Sequence, residues 1–180
     1  MAQPHVMVDL ETFGKGNNAC IVSIGAVKFI PEHNFIGEKF YVVIDPRSAV
    51  DHGGEMDADT VLWWMSEKRD VARKAMLAEK MVDLPTALEG FAMWFGEDKF
   101  QPVWGNGATF DNVILKGAYE RAGIELPWSY KSDRCYRTIR ALKHDVTFID
   151  VGTYHNALDD AVAQAQHLLA IKRKLGLNLQ

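Results

Sequence analysis

A chain of 180 residues with 48% hydrophobic content is long enough to bury one real core, and 20 Lys and Arg against 24 Asp and Glu leave a net charge of -4. That balance excludes a protein coating long duplex through a continuous basic face, though not one gripping a short nucleic-acid end. No apolar stretch reaches membrane-spanning length and the N-terminus lacks the basic-then-apolar layout of a signal peptide, so a cytoplasmic protein with no membrane contact is expected.

In chain order, residues 5–9, 20–30 and 39–45 are rich in Val, Ile, Phe and Tyr. Turn formers separate them, first Gly14, Gly16, Asn17 and Asn18 and then residues 31–37, which predicts three successive strands in hairpin-type connection. From Asp59 the spacing turns helical, near 59–67, 69–80 and 84–96, with Gly90 interrupting the middle of the last. A short strand is expected at 100–105. The segment ATFDNVILKGAYERAG then puts Phe110, Val113, Ile114, Tyr119 and Ala122 at helical spacing and ends on Gly123 as a C-cap. Further helices fit 134–143 and about 156–175. Strands first, then helices alternating with strands, predict an α/β fold with a mixed sheet flanked by helices. No repeat or linker divides the sequence, so residues 1–180 are expected to form a single domain. Cys20 and Cys135 have neither metal-ligand spacing nor disulfide-scaffold density and read as reduced thiols.

The stretch HVMVDLETFGKG ends an apolar run on two acids, Asp9 and Glu11. Residues two apart on a strand share a face, so the two carboxylates point together while Leu10 points away. Such a pair is common and means little alone. A third acid, Asp111, stands where a buried strand meets an apolar helix, a place also explained by the helix dipole. The last helix supplies two more. Asn156 is a good N-cap, and Asp159 sits where a capping-box side chain reaches back. Asp160 has no such structural duty. It lies beside the apolar stripe of Ala157, Leu158, Ala161, Val162, Ala165, Leu168, Leu169 and Leu175, slightly nearer than Asp159. His155 precedes the helix, free to project toward the same place.

DLE in the first strand, FD at the start of a middle helix and H-x-x-x-x-D in HNALDD resemble the three motifs of the DEDDh 3′-5′ exonucleases. That superfamily includes ribonuclease T, oligoribonuclease and the proofreading exonucleases of DNA polymerases, and the match in order and spacing covers about 150 residues. The TVLWW segment, Thr60 to Trp64, is similar to one in phage-type exonucleases and the related actinobacterial exoribonucleases. The resemblance implies a ribonuclease H-like fold of the exonuclease variant, and a homodimer is plausible because relatives such as ribonuclease T assemble as dimers. Many members carry His-Asn ahead of the second-motif Asp. Here the loop reads NGATFD, with Asn106 and Gly107, a departure that touches substrate contacts rather than Asp111.

The chemistry implied is a two-metal phosphodiester hydrolysis. Two divalent cations about 3.5–4 Å apart generate the nucleophile, neutralise the phosphate and relieve a poor leaving group. Mg²⁺ and Mn²⁺ take oxygen ligands, and four clustered carboxylates resist ionisation without cations. Asp9 is the natural bridging ligand, with Glu11, Asp111 and Asp160 completing the shells. His155, with an ordinary pKa of about 6.5, can take a proton from the attacking water. The other five histidines, His5, His33, His52, His144 and His167, read as surface residues. The terminal base of a single-stranded 3′ end needs stacking partners, for which Phe13, Trp63, Trp64 and Phe110 are candidates. Adjacent Trp residues on a helix point about 100° apart, so one of the two is expected in the core. Thr12 and Asn106 are further substrate contacts. Lys131, Arg134, Arg137, Arg140 and Lys143 make a basic flank, with Arg134 and Arg137 the foremost phosphate contacts. The Gly14–Gly16 loop reads as a turn.

The activity expected is release of nucleoside 5′-monophosphates from single-stranded RNA or DNA. Its rivals are a catalytically silent nucleic-acid-binding protein of the same fold and a two-metal hydrolase of dinucleotides or small phosphate esters. RNA and DNA are not distinguished, because no motif marks a 2′-hydroxyl contact.

Overall fold

The computed structural model describes residues 3–142 and 145–179. Strands β1 (His5–Thr12), β2 (Ile21–Ile30) and β3 (Phe35–Ile44) form an antiparallel meander. Two short parallel strands follow on one side, β5 (Val103–Gly105) against β1 and β6 (Asp133–Cys135) against β5. On the other edge β4 (Met81–Val82) pairs parallel with β3, giving the order β4-β3-β2-β1-β5-β6. The helices are α1 (Pro46–Asp51), α2 (Ala58–Met65), α3 (Asp70–Ala78), α4 (Leu84–Phe95), α5 (Asp111–Ala122), α6 (Tyr136–Arg140) and α7 (Ala157–Leu175). The mixed, helix-flanked sheet agrees with the α/β expectation.

The period-two alternation of β1 divides the molecule. Val6, Val8 and Leu10 face a core shared with Leu88 and Phe91 of α4 and Ile114, Leu115 and Tyr119 of α5. Met7 faces the opposite core, with Val27 and Phe29 of β2 and Ala161, Val162, Ala165 and Leu168 of α7. Asp9 and Glu11 continue the Met7 face beyond the point where its apolar residues stop. The α7 stripe is buried as its spacing predicts except at Leu158, which is half-buried in the first turn, and Leu175, which is exposed in the last.

The differences from the sequence expectation have local causes. β1 runs on to Thr12 because Glu11 still pairs with Ser23 of β2. β3 begins at Phe35 rather than residue 39, its exposed first half held by the β2 ladder despite Gly37 and Glu38. Pro102 cannot donate to a ladder, and β5 starts only at Val103. Residues 133–135 pair with β5 as a strand, so the helix expected from 134 starts at Tyr136, and its expected end at Lys143 lies outside the described residues. The short elements α1, β4 and β6 carry too few residues to show a period. Gly123 caps α5 in the left-handed conformation, as expected.

Candidate active site

Four elements converge on one cavity of about 410 Å³, lined among others by Asp9, Glu11, Asp111, His155 and Asp160. β1 contributes Asp9 and Glu11 on one face. Beyond Gly105 β5 leaves β1, and the freed Leu10 N–H donates to Asp111 Oδ1 at 3.2 Å. Asp111 is thus fixed at the first turn of α5, and Gly105 leaves room for it, since a Cβ there would overlap Asn112 Oδ1.

Asp160 arrives from the other face. α7 crosses β2 at Gly25, where a Cβ would overlap the Ala157 carbonyl carbon and the Leu158 nitrogen, and Gly25 is the register partner of Asp9. The close approach brings the first turn of α7 over the acidic pair. Asn156 caps that turn, accepting from the Leu158 and Asp159 N–H groups at 3.0 and 3.2 Å. The expected capping box does not form, because Asp159 Oδ2 accepts from Thr153 N–H at 2.7 Å instead and anchors the preceding loop. Asp160 Oδ2 in turn accepts the His155 N–H at 3.1 Å. One ligand atom each from Glu11, His155 and Asp160 lie within 4.8 Å of one another.

The electrostatics are those of crowded acids. Burial, then the carboxylates of Asp111 and Asp160, push Asp9 well above the usual carboxylate range, against the pull of a 2.7 Å hydrogen bond from Gln164 Nε2. Burial and the other three acids raise Glu11, opposed by Arg69. Burial pushes Asp111 up to about 7 even though the Leu10, Asp111 and Asn106 N–H groups and Arg137 oppose it. Asp160 rises to about 6, mainly through burial. Burial and Arg69 lower His155 to about 4, and its Nε2 is buried without a hydrogen-bond partner among the described residues. Hard oxygen donors that repel one another, beside an orphaned imidazole nitrogen, are a donor set that fits divalent cations.

A second cavity of about 450 Å³ adjoins the first, sharing Leu10, Glu11 and Phe110 and walled by Thr12, Trp63 and Trp64. Trp63 is 39% exposed, whereas Trp64 is 2% exposed with its Nε1 donating to the Thr12 carbonyl at 3.0 Å, so Trp64 is the core member of the pair. Phe13 packs edge-on to Trp64 and against the core rather than on either cavity wall. Asn106, Arg137 and Arg140 line the acidic cavity. Arg134 does not; it donates to the carbonyls of Lys131 and Asp133. Two histidines expected on the surface are buried: His5 accepts from Trp104 Nε1 at 3.1 Å, and His167 contacts the Tyr136 hydroxyl at 2.6 Å. His144 lies outside the described residues. Both cysteines are free. Sequence reasoning missed Gln164, four residues beyond Asp160 on the same helical face, where the spacing itself was a signal. Phe148, Asp150 and Tyr154 also line the acidic cavity, but they come from an irregular segment with no period to read.

The model of the 3′-5′ exoribonuclease Rv2179c-like domain matches residues 4–172. No curated relative matches the sequence. Among solved structures, the nuclease domain of 3′hExo, a DEDDh family member bound to rAMP, superposes with a TM-score of 0.63 at 10% identity, over 96% of this chain and 93% of that one. Exonuclease I of E. coli, in complex with a 5cy-dT13 oligonucleotide, gives 0.69 at 15% identity over 98% of this chain and 42% of its own. Cell-death related nuclease 4 gives 0.61 at 13% over 97% and 65%. The chain therefore spans about two fifths of exonuclease I, and at these identities the likeness establishes the ribonuclease H-like exonuclease fold. No helix among the described residues is long and apolar enough to cross a membrane.

Proposed function

The chain belongs to the family of Rv2179c-like 3′-5′ exoribonuclease domains, and on that premise we propose that residues 1–180 act as one metal-dependent exonuclease domain, releasing nucleoside 5′-monophosphates from single-stranded 3′ ends. The observation that carries this reading is the lining of a single cavity by Asp9, Glu11, Asp111, Asp160 and His155. Family membership makes RNA the first substrate to test, while the neighbours bound to DNA oligonucleotides keep DNA in view.

Asp9, Glu11, Asp111 and Asp160 would hold two divalent cations, Mg²⁺ or Mn²⁺. Bound there, the cations would supply an activated water, neutralise charge growing on the phosphate and stabilise the departing alkoxide. His155 is neutral near pH 7 and accepts at Nε2 the proton that the attacking water gives up. The water oxygen bonds to phosphorus, the P–O3′ bond to the penultimate nucleotide breaks, and a new 3′-hydroxyl is left. Trp63, Phe110 and Thr12 bind the terminal nucleoside in the adjoining cavity, a stacked base contributing about 1–3 kcal/mol. Asn106, Arg137 and Arg140 meet the phosphates upstream.

Asp9→Ala and Asp111→Ala proteins are expected to stay folded yet lose tight Mn²⁺ binding, measured by calorimetry, and digestion of labelled single-stranded RNA and DNA. Full activity of either clean preparation would refute the assignment. Turnover on a dinucleotide and on nitrophenyl phosphate, compared with a ten-mer, separates a small-ester hydrolase from an exonuclease.

A further inference from the structure

His155 adopts φ +66°, a left-handed conformation that a non-glycine residue holds only when its surroundings impose it. The loop that carries it has no strand ladder to fix it. Its backbone is tied at the Asp160 carboxylate, and its imidazole is packed edge-to-face on Trp63, ring centres 4.9 Å apart, and against Tyr154 at 3.9 Å. Trp63 comes from α2 and Tyr154 from the His155 loop, segments some 90 residues apart in the chain. One side chain spans both. The Arg69 guanidinium lies 4.1 Å from the Trp63 ring centre and 6.0 Å from that of Tyr154.

Arg69 is poorly explained by its own hydrogen bonding. Its Nε is buried without a partner, and its one hydrogen bond among the described residues is a long 3.5 Å contact from Nη1 to the neighbouring Lys68 carbonyl. Its backbone, by contrast, is well placed, closing the 3-10 turn Glu67–Arg69 between α2 and α3. Arg73 braces that turn by donating from Nη1 to the Trp64 carbonyl at 2.6 Å. A planar guanidinium can cover aromatic faces in a way that a lysine ammonium cannot.

We propose that Arg69 is a positioning residue for the exonuclease reaction, clasping Trp63 to Tyr154 so that the His155 imidazole is held at the acidic cavity. The inference rests on the exonuclease reading and deepens it, since it assigns the residue that keeps the base in place. Arg69 lines neither cavity and acts through its aromatic neighbours, not on substrate.

The test is a double-mutant cycle on single-stranded RNA with Mg²⁺, using Arg69→Met, Arg69→Lys, His155→Ala and Arg69→Met combined with His155→Ala. Arg69→Met is expected to lower kcat about tenfold with little change in KM, and Arg69→Lys to recover part of the loss. In the His155→Ala background Arg69→Met is expected to cost far less than in wild type, because its route through the imidazole is gone and only its charge near Glu11 is lost. An unchanged kcat in Arg69→Met, a loss confined to KM, or losses that multiply in the double variant would each overturn the role. If Arg69→Met does not fold, the same cycle with Arg69→Lys decides by the same criteria. A wild-type chain that digests neither RNA nor DNA overturns the exonuclease reading itself, whereas a crippled His155→Ala beside an unaffected Arg69→Met overturns only the role of Arg69.

Discussion

Adjacent residues of one type have opposite fates in TVLWW. Trp64 is sealed in the core with its indole N–H on the Thr12 carbonyl, while Trp63 stands on a cavity wall under the Arg69 guanidinium. Trp64→Ala should therefore lower stability by about 3–5 kcal/mol, seen in urea denaturation, through lost packing and an orphaned carbonyl. Trp63→Ala should leave the denaturation midpoint nearly unchanged, raise KM for a single-stranded oligonucleotide about tenfold and lower kcat as well, because the His155 imidazole packs on its ring. Equal destabilisation by both would contradict the division. The 100° helical turn between neighbours made one core Trp legible, but which one depends on where α2 lies against β1. The paired acids behave likewise. Asp159 and Asp160 differ little on a helical wheel, and their roles separate only because the 151–155 loop folds back, giving Asp159 the Thr153 N–H and Asp160 the His155 N–H.

Elements that bury a periodic stripe were readable from spacing, as with β1, β2, α4, α5 and α7. Those built by pairing, β4 and β6, are two or three residues long and were not. The crossing of α7 over β2 illustrates what an element boundary does for the site. Gly25 faces the Ala157–Leu158 backbone at the position opposite Asp9, so a side chain there must push the start of α7 outward. Gly25→Ala is expected to cost roughly 1–3 kcal/mol by overpacking and to lower kcat/KM severely, because Asp160 and His155 move with the helix. Chemical denaturation and an exonuclease assay on the same preparation check both parts, and wild-type values in both would remove the close approach from the argument.

At the scale of the whole molecule the acid cluster sets the pH response of metal-free protein. Carboxylates whose folded pKa is raised contribute stability below their unfolded values, and that contribution is lost as pH rises through the folded ones. Asp160, pushed up to about 6, and Asp111, pushed up to about 7, therefore weaken the fold as pH rises through 6 and 7, and Asp9 and Glu11, also raised, act in the same direction. The buried His5, lowered to about 4, and His155 act in the opposite sense, but only between about pH 4 and 6.5. Metal-free protein should melt lower at pH 8 than at pH 6.5, by about 2–4 °C for each kcal/mol lost, and Mg²⁺ should raise the melting temperature more at pH 8. Melting scans with chelator and with Mg²⁺ at both pH values check this, and a Mg²⁺ effect no larger at pH 8 would count against a metal-holding cluster. Sequence alone determined the α/β class, the main strands and helices, and the acids with their histidine, because hydrophobic period and residue chemistry are local properties of the chain. Tertiary structure alone decided which tryptophan borders the site, that His5 and His167 are buried, and that Gln164, Tyr154 and Arg69 surround the acids. Those facts arise from contacts between segments up to 155 residues apart, and such contacts leave no period in the sequence.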